Sequence, residues 1–362
     1  MILLGIESSC DESAAAVVVD GAVRSNAIYT QIAQHAPYGG VVPEIASRDH
    51  VRKLPGIIDK ALAEAGCLFD DLDGLAVTYG PGLASSLLIG YSAARALSQR
   101  LGKPLMGVNH HEGHIYSVFL GDKPPVLEGS FPMLTLMVSG GDTRLVYIRE
   151  PGHYEVIGQT IDDAAGEALD KGATQLGLGY PGGPVIQKFA EGGNPKAVRF
   201  PRGLNNAGGE WAYSLDRKLC FSFSGLKTSL LYYLQNHPEA LEDESIKRDV
   251  TASYQEAVAD ALTTRMERAL KKYECAAFAC AGGVSMNKPL RAKLTALSEK
   301  TGIPLRLSSS RLCTDNAAMI AGAAAIRLQA GLPFVMPEDI NPNLRLENWF
   351  PDAGSRNPGE LN

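Results

Sequence analysis

No apolar run of membrane length occurs in this 362-residue chain, and Glu7, Asp11 and Glu12 break up its first apolar stretches. With no basic segment ahead of them, those stretches are not read as a signal peptide, and no membrane span is expected. Six cysteines are present, Cys10, Cys67, Cys220, Cys275, Cys280 and Cys313, yet none pair as C-x-x-C; reduced thiols in a cytoplasmic protein are the expectation. An excess of positive charge is missing too. The formal net charge of −6 gives no global field to draw nucleic acid or an anionic membrane, so RNA contact has to use a local basic patch. The phosphate-binding pattern G-x-x-x-x-G-K-[ST] is absent, which excludes a P-loop site. H-E-x-x-H is absent as well: His111 stands where a zincin has its Glu, and Glu112 comes one residue later, roughly 100° further around a helix. What remains is ordinary for a globular protein, 45% apolar and 20% charged. One core does not serve a chain of this length, so two lobes are expected.

The densest chemistry lies in Val108–Ser117, where His110, His111, Glu112 and His114 fall close together. An apolar run from Pro104 to Val108 precedes them as a short strand, and Asn109 is a favoured N-cap type. With a helix starting there, His110 and His114 stand one turn apart on one face. Two neutral imidazoles so placed make a clamp for a divalent metal, with His111 pointing elsewhere. The alternative is a helix of surface histidines. A two-histidine site also calls for a third ligand.

Along the chain, Ile2–Ile6 and Ala14–Val19 read as a hairpin around the acidic turn Glu7–Ser13, with Val23–Tyr29 as a third strand. Pro43–Ala65 reads as a helix on Ile45, Val51, Leu54, Ile57, Ile58 and Leu62. Leu75–Tyr79 is a strand leading through Gly80-Pro81-Gly82 into a helix that ends near Leu101. After a linker at 121–131 the pattern restarts. Strands at Met133–Val138 and Arg144–Ile148 flank Ser139-Gly140-Gly141-Asp142, which repeats the S-x-x-D of Ser8–Asp11. Ala276–Ala281 runs into Gly282-Gly283 and a helix, and Ile303–Leu307 precedes Thr314, Asp315 and an apolar helix from Asn316 to Gln329. The repetition predicts a duplicated α/β fold, with mixed sheets, helices on both sides, and a helical insertion at about 163–273 in the second half. Lobe I is expected over 1–120, with the C-terminal helix at 314–340 returning to it, and lobe II over 130–313.

The duplication supplies a third ligand. Asp315 takes in the second half the place of His110 in the first, just past a strand and at a helix start, so the two are expected to face each other across a cleft. Two His and one carboxylate with open positions form the facial-triad pattern, which suits Fe(II), with Zn(II) the alternative. Asp315 as a plain N-cap is the competing reading. Glycine turns at Gly80-Pro81-Gly82, Ser139-Gly140-Gly141, Gly182-Gly183-Pro184 and Gly282-Gly283 can present N–H groups to a ligand. Several around one cleft imply a nucleotide site of a kind other than the P-loop. Glu167 and Lys171 make an ordinary i,i+4 pair, and Asp170 lies off that stripe, where it can face a ligand hydroxyl. From Lys188 to Lys227, Lys188, Lys196, Arg199, Arg202, Arg217, Lys218 and Lys227 outnumber Glu191, Glu210 and Asp216, with Phe200, Trp211, Tyr213, Phe221 and Phe223 interleaved. Such a mixture suits single-stranded RNA loops; a solvated face over a small aromatic core is the equal alternative.

Gly5–Ser13, His110–Ser117, Ser139–Gly141, Asp162–Ala168, Tyr180–Pro184, Phe223–Thr228, Ala281–Ser285 with Asn287, and Thr314–Met319 together resemble the TsaD family, the bacterial tRNA N6-adenosine threonylcarbamoyltransferases. The resemblance runs over nearly the whole chain in the family's order. It implies the two-lobed actin-like, sugar-kinase-like fold of the ASKHA, RNase H-like class. By position it implies His110, His114 and Asp315 as iron ligands, and Met137, Val138, Ser139, Gly140, Gly141, Asp170, Gly183 and Asn287 as contacts to threonylcarbamoyl-adenylate or a nucleotide. Asp11 and Glu12 become the acidic tip at the reacting groups, with Asp11 accepting the N6 proton or orienting the amine. Alternation along a strand separates Glu12 from it, so no dyad is expected. Asp142 departs from the family, which usually has His or Asn there. The implied reaction carries threonylcarbamoyl from its adenylate to N6 of adenosine 37 in tRNAs that read ANN codons, releasing AMP. The implied partners are tRNA, a TsaB-like paralogue, a TsaE-like P-loop ATPase and an upstream threonylcarbamoyl-adenylate synthase. Two rivals are a metalloprotease, against which the place of Glu112 argues, and a sugar kinase or actin-like ATPase, which needs no histidine pair.

Overall fold

Strand β1 (Ile2–Glu7) is apolar in five of its six residues and buried from Leu3 onward. A strand of that kind belongs inside a sheet covered on both faces. It pairs antiparallel with β2 (Glu12–Val19) on one side and parallel with β4 (Gly74–Gly80) on the other. Strand β3 (Ala22–Thr30) borders β2, and β5 (Leu105–Asn109) borders β4, giving the order β3-β2-β1-β4-β5. Between these strands run α1 (Ile32–His35), α2 (Pro43–Ala65) and α3 (Ala84–Leu101), and α4 (His110–Tyr116) follows β5. Helix α2 starts with Pro43 in the first turn, where a missing N–H costs nothing, and ends on Gly66 at φ 66°. Its buried stripe is Ala46, His50, Leu54, Ile58, Ala61 and Leu62. Val51, expected inside, is 59% exposed. His50 occupies the buried stripe because both ring nitrogens find partners, Ser13 Oγ at 2.7 Å and the Cys10 carbonyl oxygen at 2.9 Å.

The second sheet repeats the first. It holds β6 (Met133–Val138), β7 (Thr143–Glu150), β8 (His153–Gln159), β9 (Ala277–Ala281) and β10 (Leu305–Leu307) in the order β10-β9-β6-β7-β8. Read from its other edge, this order matches the first sheet strand for strand, as the duplication predicts. Between β8 and β9 come α5 (Ala165–Gln175), α6 (Gly182–Phe189), α7 (Ser224–Asn236), α8 (Glu239–Glu242) and α9 (Glu244–Lys272). Helix α10 (Lys288–Thr301) precedes β10, and α11 (Ala317–Gln329) follows it.

This computed structural model describes residues 1–121, 124–204 and 214–347. Two units are distinguished, one of Met1–Pro124, Ile148–Glu155 and Asp315–Asn362, the other of Pro125–Tyr147 and Val156–Thr314. Helix α11 is thus part of the first unit, where it packs on β1, β2 and α4. Its run of Ala317, Ala318, Ala321, Gly322 and Ala323–Ala325 keeps that approach close. Gly5 completes the fit: a Cβ there would collide with the Ala317 carbonyl oxygen and stand 3.0 Å from the Ala321 nitrogen. Among the described residues no helix is long and apolar enough to cross a membrane.

Candidate metal centre

Helix α4 starts where β5 ends, because the Asn109 side chain accepts a hydrogen bond from His111 N at 2.9 Å and caps the first turn. The cap fixes where His110 and His114 emerge, one turn apart on one face. Their rings stand 4.8 Å apart, edge to face. Nε2 of His114 lies 3.0 Å and Nε2 of His110 lies 3.4 Å from Oδ1 of Asp315. Asp315 therefore lies in the same unit as the histidines. It is not the cap of α11 either: Asn316 fills that role, its side chain accepting from Met319 N at 3.0 Å. The close packing of α4 on α11 is set at Gly113, where a Cβ would sit 2.8 Å from Ile320 Cδ1 and 3.1 Å from Met319 Cγ. His111, whose ring centre is 6.1 Å from that of His110, stays outside the group.

Glu7, a residue the motif reading grouped only with the acidic turn, reaches this cluster from the end of β1. Its Oε2 accepts from Thr78 Oγ1 at 2.6 Å and lies 3.0 Å from His110 Nδ1, while its Oε1 accepts from Ser9 N. Ser9 Oγ is 3.1 Å from the same Nδ1. The Glu7 side chain is buried. Burial works against its charge, but the His110 charge and hydrogen bonds outweigh it, and the carboxyl falls below its ordinary range. His110 is likewise opposed by burial and then raised well above the usual imidazole range by Asp315 and Glu7. Asp315 is half-buried; desolvation works against its charge, but His110 and then His114 drive it well below the carboxylate range. The group accordingly favours a positive charge between the two carboxylates, a place a proton or a cation fills.

The donor atoms of His110, His114 and Asp315 all lie within 4.8 Å of one another. The two Asp315 contacts, 3.0 and 3.4 Å, match the roughly 3–3.5 Å between neighbouring donors that metal bonds of about 2.0–2.2 Å imply. Holding Nδ1 of His110 on Glu7 leaves Nε2 to ligate, the arrangement in which an outer carboxylate orients a metal-binding imidazole. The donor set and its surroundings therefore fit a divalent cation.

Asp11 and Glu12 lie in the same unit, and their carboxyls hydrogen-bond each other. The strand alternation expected to separate them does not apply, because β2 begins at Glu12 and Asp11 is in the turn before it. Burial first, then the Asp315 and Asp11 charges, push the Glu12 carboxyl up to about 10; Thr30 Oγ1 donates to it at 3.2 Å.

In the second unit, Met137 and Val138 are buried at the end of β6. Ser139 closes the β6–β7 turn, its N donating to the Asp142 carbonyl at 2.9 Å and its Oγ accepting from Asp142 N at 3.1 Å. The Asp142 carboxylate is paired with Arg144 at 2.8 Å. Carbonyls of Ser139 and Gly140 accept from Gly166 and Glu167 N at the start of α5. Asp170 accepts from Gly182 N at 2.7 Å, and burial raises its carboxyl above the ordinary range. Gly182 is required by packing, since a Cβ would press on the Asp170 backbone. Gly140, Gly141 and Gly183 differ: a Cβ at any of them would meet nothing within 4 Å. Asn287 caps α10 through Leu290 N at 3.1 Å and donates to Gln255 Oε1 at 2.9 Å.

In the basic segment the structure favours one of the two readings, the aromatic core. Phe200, Phe221 and Phe223 are buried in the core of the second unit, so they offer no stacking platform to RNA. Trp211 and Tyr213 lie outside the described residues. Arg202 is paired with Asp260 at 2.8 Å and Lys227 with Asp163 at 2.7 Å, whereas Lys188, Lys196, Arg199 and Lys218 are exposed.

Residues 22–322 match a family profile described as tRNA N6-adenosine threonylcarbamoyltransferase, TsaD. The chain is 49% identical over 346 residues to a protein of that name from Clostridium perfringens (strain SM101 / Type A), covering 95% of this chain and 98% of that one. It is 48% identical over 350 residues to the one from Salinibacter ruber (strain DSM 13855 / M31), covering 96% and 100%. Among solved structures, it is similar to HypF of T. kodakarensis, with a TM-score of 0.55 at 16% identity over 92% of this chain and 48% of that one. Component A of the (R)-2-hydroxyglutaryl-CoA dehydratase of Acidaminococcus fermentans gives 0.51 at 14%, over 91% and 99%. At such identities the likeness concerns the fold alone, and it is the actin-like α/β class.

Proposed function

The chain belongs to the TsaD family of tRNA N6-adenosine threonylcarbamoyltransferases, and from that premise we propose how its residues carry the transfer. The approach of His110, His114 and Asp315 within the first unit is the observation that carries the proposal. These three hold one Fe(II), with Zn(II) the alternative, and Glu7 orients His110 for it. A cation bound there supplies Lewis acidity to the activated threonylcarbamoyl group.

The donor is threonylcarbamoyl-adenylate and the acceptor is N6 of adenosine 37 in tRNAs that read ANN codons. A bond forms between N6 and the carbamoyl carbon, the bond from that carbon to the adenylate oxygen breaks, and AMP leaves with the electron pair. The exocyclic amine gives up one proton. Asp11 takes that proton or orients the amine, with Glu12 hydrogen-bonded beside it. In the second unit the nucleotide portion is held by Met137, Val138, Ser139, Gly140 and Gly141, with Asp170, Gly183 and Asn287. Open space above the backbone of Gly140, Gly141 and Gly183 lets a ligand approach there. The exposed Lys188, Lys196, Arg199 and Lys218 meet tRNA phosphates. A TsaB-like paralogue, a TsaE-like ATPase and the upstream adenylate synthase complete the cytoplasmic system.

The test is mass spectrometry of tRNA nucleosides after incubation with threonine, bicarbonate, ATP and the partner enzymes. N6-threonylcarbamoyladenosine at position 37, lost when this chain is omitted, is the expected result. Modified tRNA formed equally well without this chain would sink the proposal.

A further inference from the structure

Glu112 is a buried carboxylate on the helix that carries both histidines, and the proposed transfer gives it no part. It is two residues from His110 and from His114, about 200° around the helix axis, so it projects from the face opposite the cluster. On that side Tyr154 donates its hydroxyl to Glu112 Oε1 at 2.6 Å. The Tyr116 hydroxyl lies 3.0 Å from that of Tyr154. Tyr154 comes from Ile148–Glu155, the stretch joining β7 to β8 that is part of the first unit. Arg327 of α11 stands with its Nε 4.0 Å from the same carboxylate oxygen.

We infer that Tyr154 is a positioning residue for the histidine pair: its hydroxyl, bonded to Glu112, fixes the rotation of α4 about its own axis. The inference rests on the reading of His110, His114 and Asp315 as a metal site. Helix α4 has seven residues, too few for its own hydrogen bonds to hold it rigidly. Its ends are tied by the Asn109 cap and by Ser117 Oγ, which donates to the His114 carbonyl at 2.7 Å. Those bonds set where the helix starts and ends and act close to its axis, so they oppose rotation less than a bond at the side-chain radius does. A turn of about 10° moves an atom at the side-chain radius of roughly 5–6 Å by about 1 Å. Ligand distances in metal sites are held to about 0.2 Å, so such a rotation would spoil the cluster. A short hydrogen bond on the far face opposes it. Burial, then the Glu112 charge, hold the Tyr154 hydroxyl well above its ordinary range, so it stays a donor.

The experiment is a Co(II) titration of the full-length protein, read in the visible d–d bands, with wild type, Tyr154→Phe, Glu112→Gln and the double variant. Circular dichroism at the titration temperature shows that each is folded. Tyr154→Phe is expected to weaken Co(II) binding several-fold and to shift the bands at saturation, which loss of global stability alone does not do. Glu112→Gln keeps an acceptor for Tyr154 and should shift the bands less. The double variant should match Tyr154→Phe, because both changes act through one bond. Bands and affinity of Tyr154→Phe equal to those of wild type overturn this inference and leave the metal reading standing. A wild-type chain without Co(II) bands overturns the metal reading itself, and this inference with it. Should Tyr154→Phe not fold, Glu112→Ala, which removes the acceptor, decides alone: shifted bands support the inference and bands equal to those of wild type overturn it.

Discussion

Glu7 Oε2 lies 3.0 Å from Nδ1 of His110, joining the end of the first strand to a helix 103 residues further along the chain. The contact leaves Nε2 of His110 directed at Asp315. Both Glu7 oxygens accept hydrogen bonds, so Glu7→Gln keeps the shape, loses the charge and sets its NH2 against a donor, either at Ser9 N or at Thr78 Oγ1 and His110 Nδ1. Outer carboxylates of this kind typically contribute about 10- to 100-fold to metal affinity. Competition with a chelating dye should show a loss of that size for Glu7→Gln, with the protein still folded. An unchanged affinity would mean that Glu7 serves only the local packing of β1.

The metal itself is the next prediction. Elemental analysis of the purified protein should find one iron or zinc per chain, and His110→Ala and Asp315→Ala should each lose it. His111→Ala should retain more than either, since its ring stays outside the group. Full occupancy in the His110 and Asp315 variants would falsify the three-residue site.

Gly5 tests how α11 brings Asp315 to the histidines. A Cβ at Gly5 meets backbone atoms of Ala317 and Ala321, which cannot swing aside as a side-chain tip can. Overpacking of this sort costs about 1–3 kcal/mol. Gly5→Ala should lower the urea midpoint correspondingly and also reduce metal occupancy, because Asp315 stands two residues before α11. A drop in stability with full metal content would place the ligand geometry under other control.

Much of this arrangement was legible in the sequence, and the exceptions share a cause. The spacing of His110 and His114 and the Asn109 cap are local, so they could be read within a few residues. Glu7 was harder. Its partners Thr78 and His110 are 71 and 103 positions away, and nothing local tells a fully buried carboxylate from the half-buried acids of the neighbouring turn. Alternation would separate Asp11 from Glu12, but it holds only inside a strand, and the strand begins between them. Phe221 and Phe223 looked available to RNA by composition; their rings stack within the core at a centroid distance of 6.3 Å. Tyr154 belongs to no motif, and only the fold brings it to Glu112.

The buried aromatics sharpen the expectation for tRNA. With Phe200, Phe221 and Phe223 inside and Arg202 paired to Asp260, the proposed contact at this segment would be electrostatic and would fall to the exposed Lys196 and Arg199 with Lys188 and Lys218. Lys196→Glu with Arg199→Glu should weaken tRNA binding across sequences and flatten its salt dependence, by a slope of about one per lost phosphate contact. Arg202→Ala should instead act on stability, through Asp260. A salt slope that the double reversal leaves unchanged would move the RNA surface elsewhere in the assembly.

Asp11 is where positioning and chemistry can be separated. Its carboxyl stands in the turn between β1 and β2, hydrogen-bonded to Glu12, and Gln31 N donates to its backbone carbonyl at 3.0 Å. The backbone of this turn is also held from below by His50 on the Cys10 carbonyl. The loop's shape therefore does not depend on the Asp11 side chain alone. Asp11→Asn preserves size and hydrogen bonding while removing the ability to take a proton. Loss of a general base typically lowers a rate by about 10²- to 10⁴-fold. In single-turnover assays Asp11→Asn should keep metal content and adenylate binding and yet slow the formation of modified nucleoside by a factor in that range. If Asp11 only shaped the turn, Asn would serve nearly as well, because both side chains make the same local bonds to backbone N–H groups. Transfer at close to the wild-type rate would accordingly remove Asp11 from the chemistry, and a large loss with intact binding would keep it there.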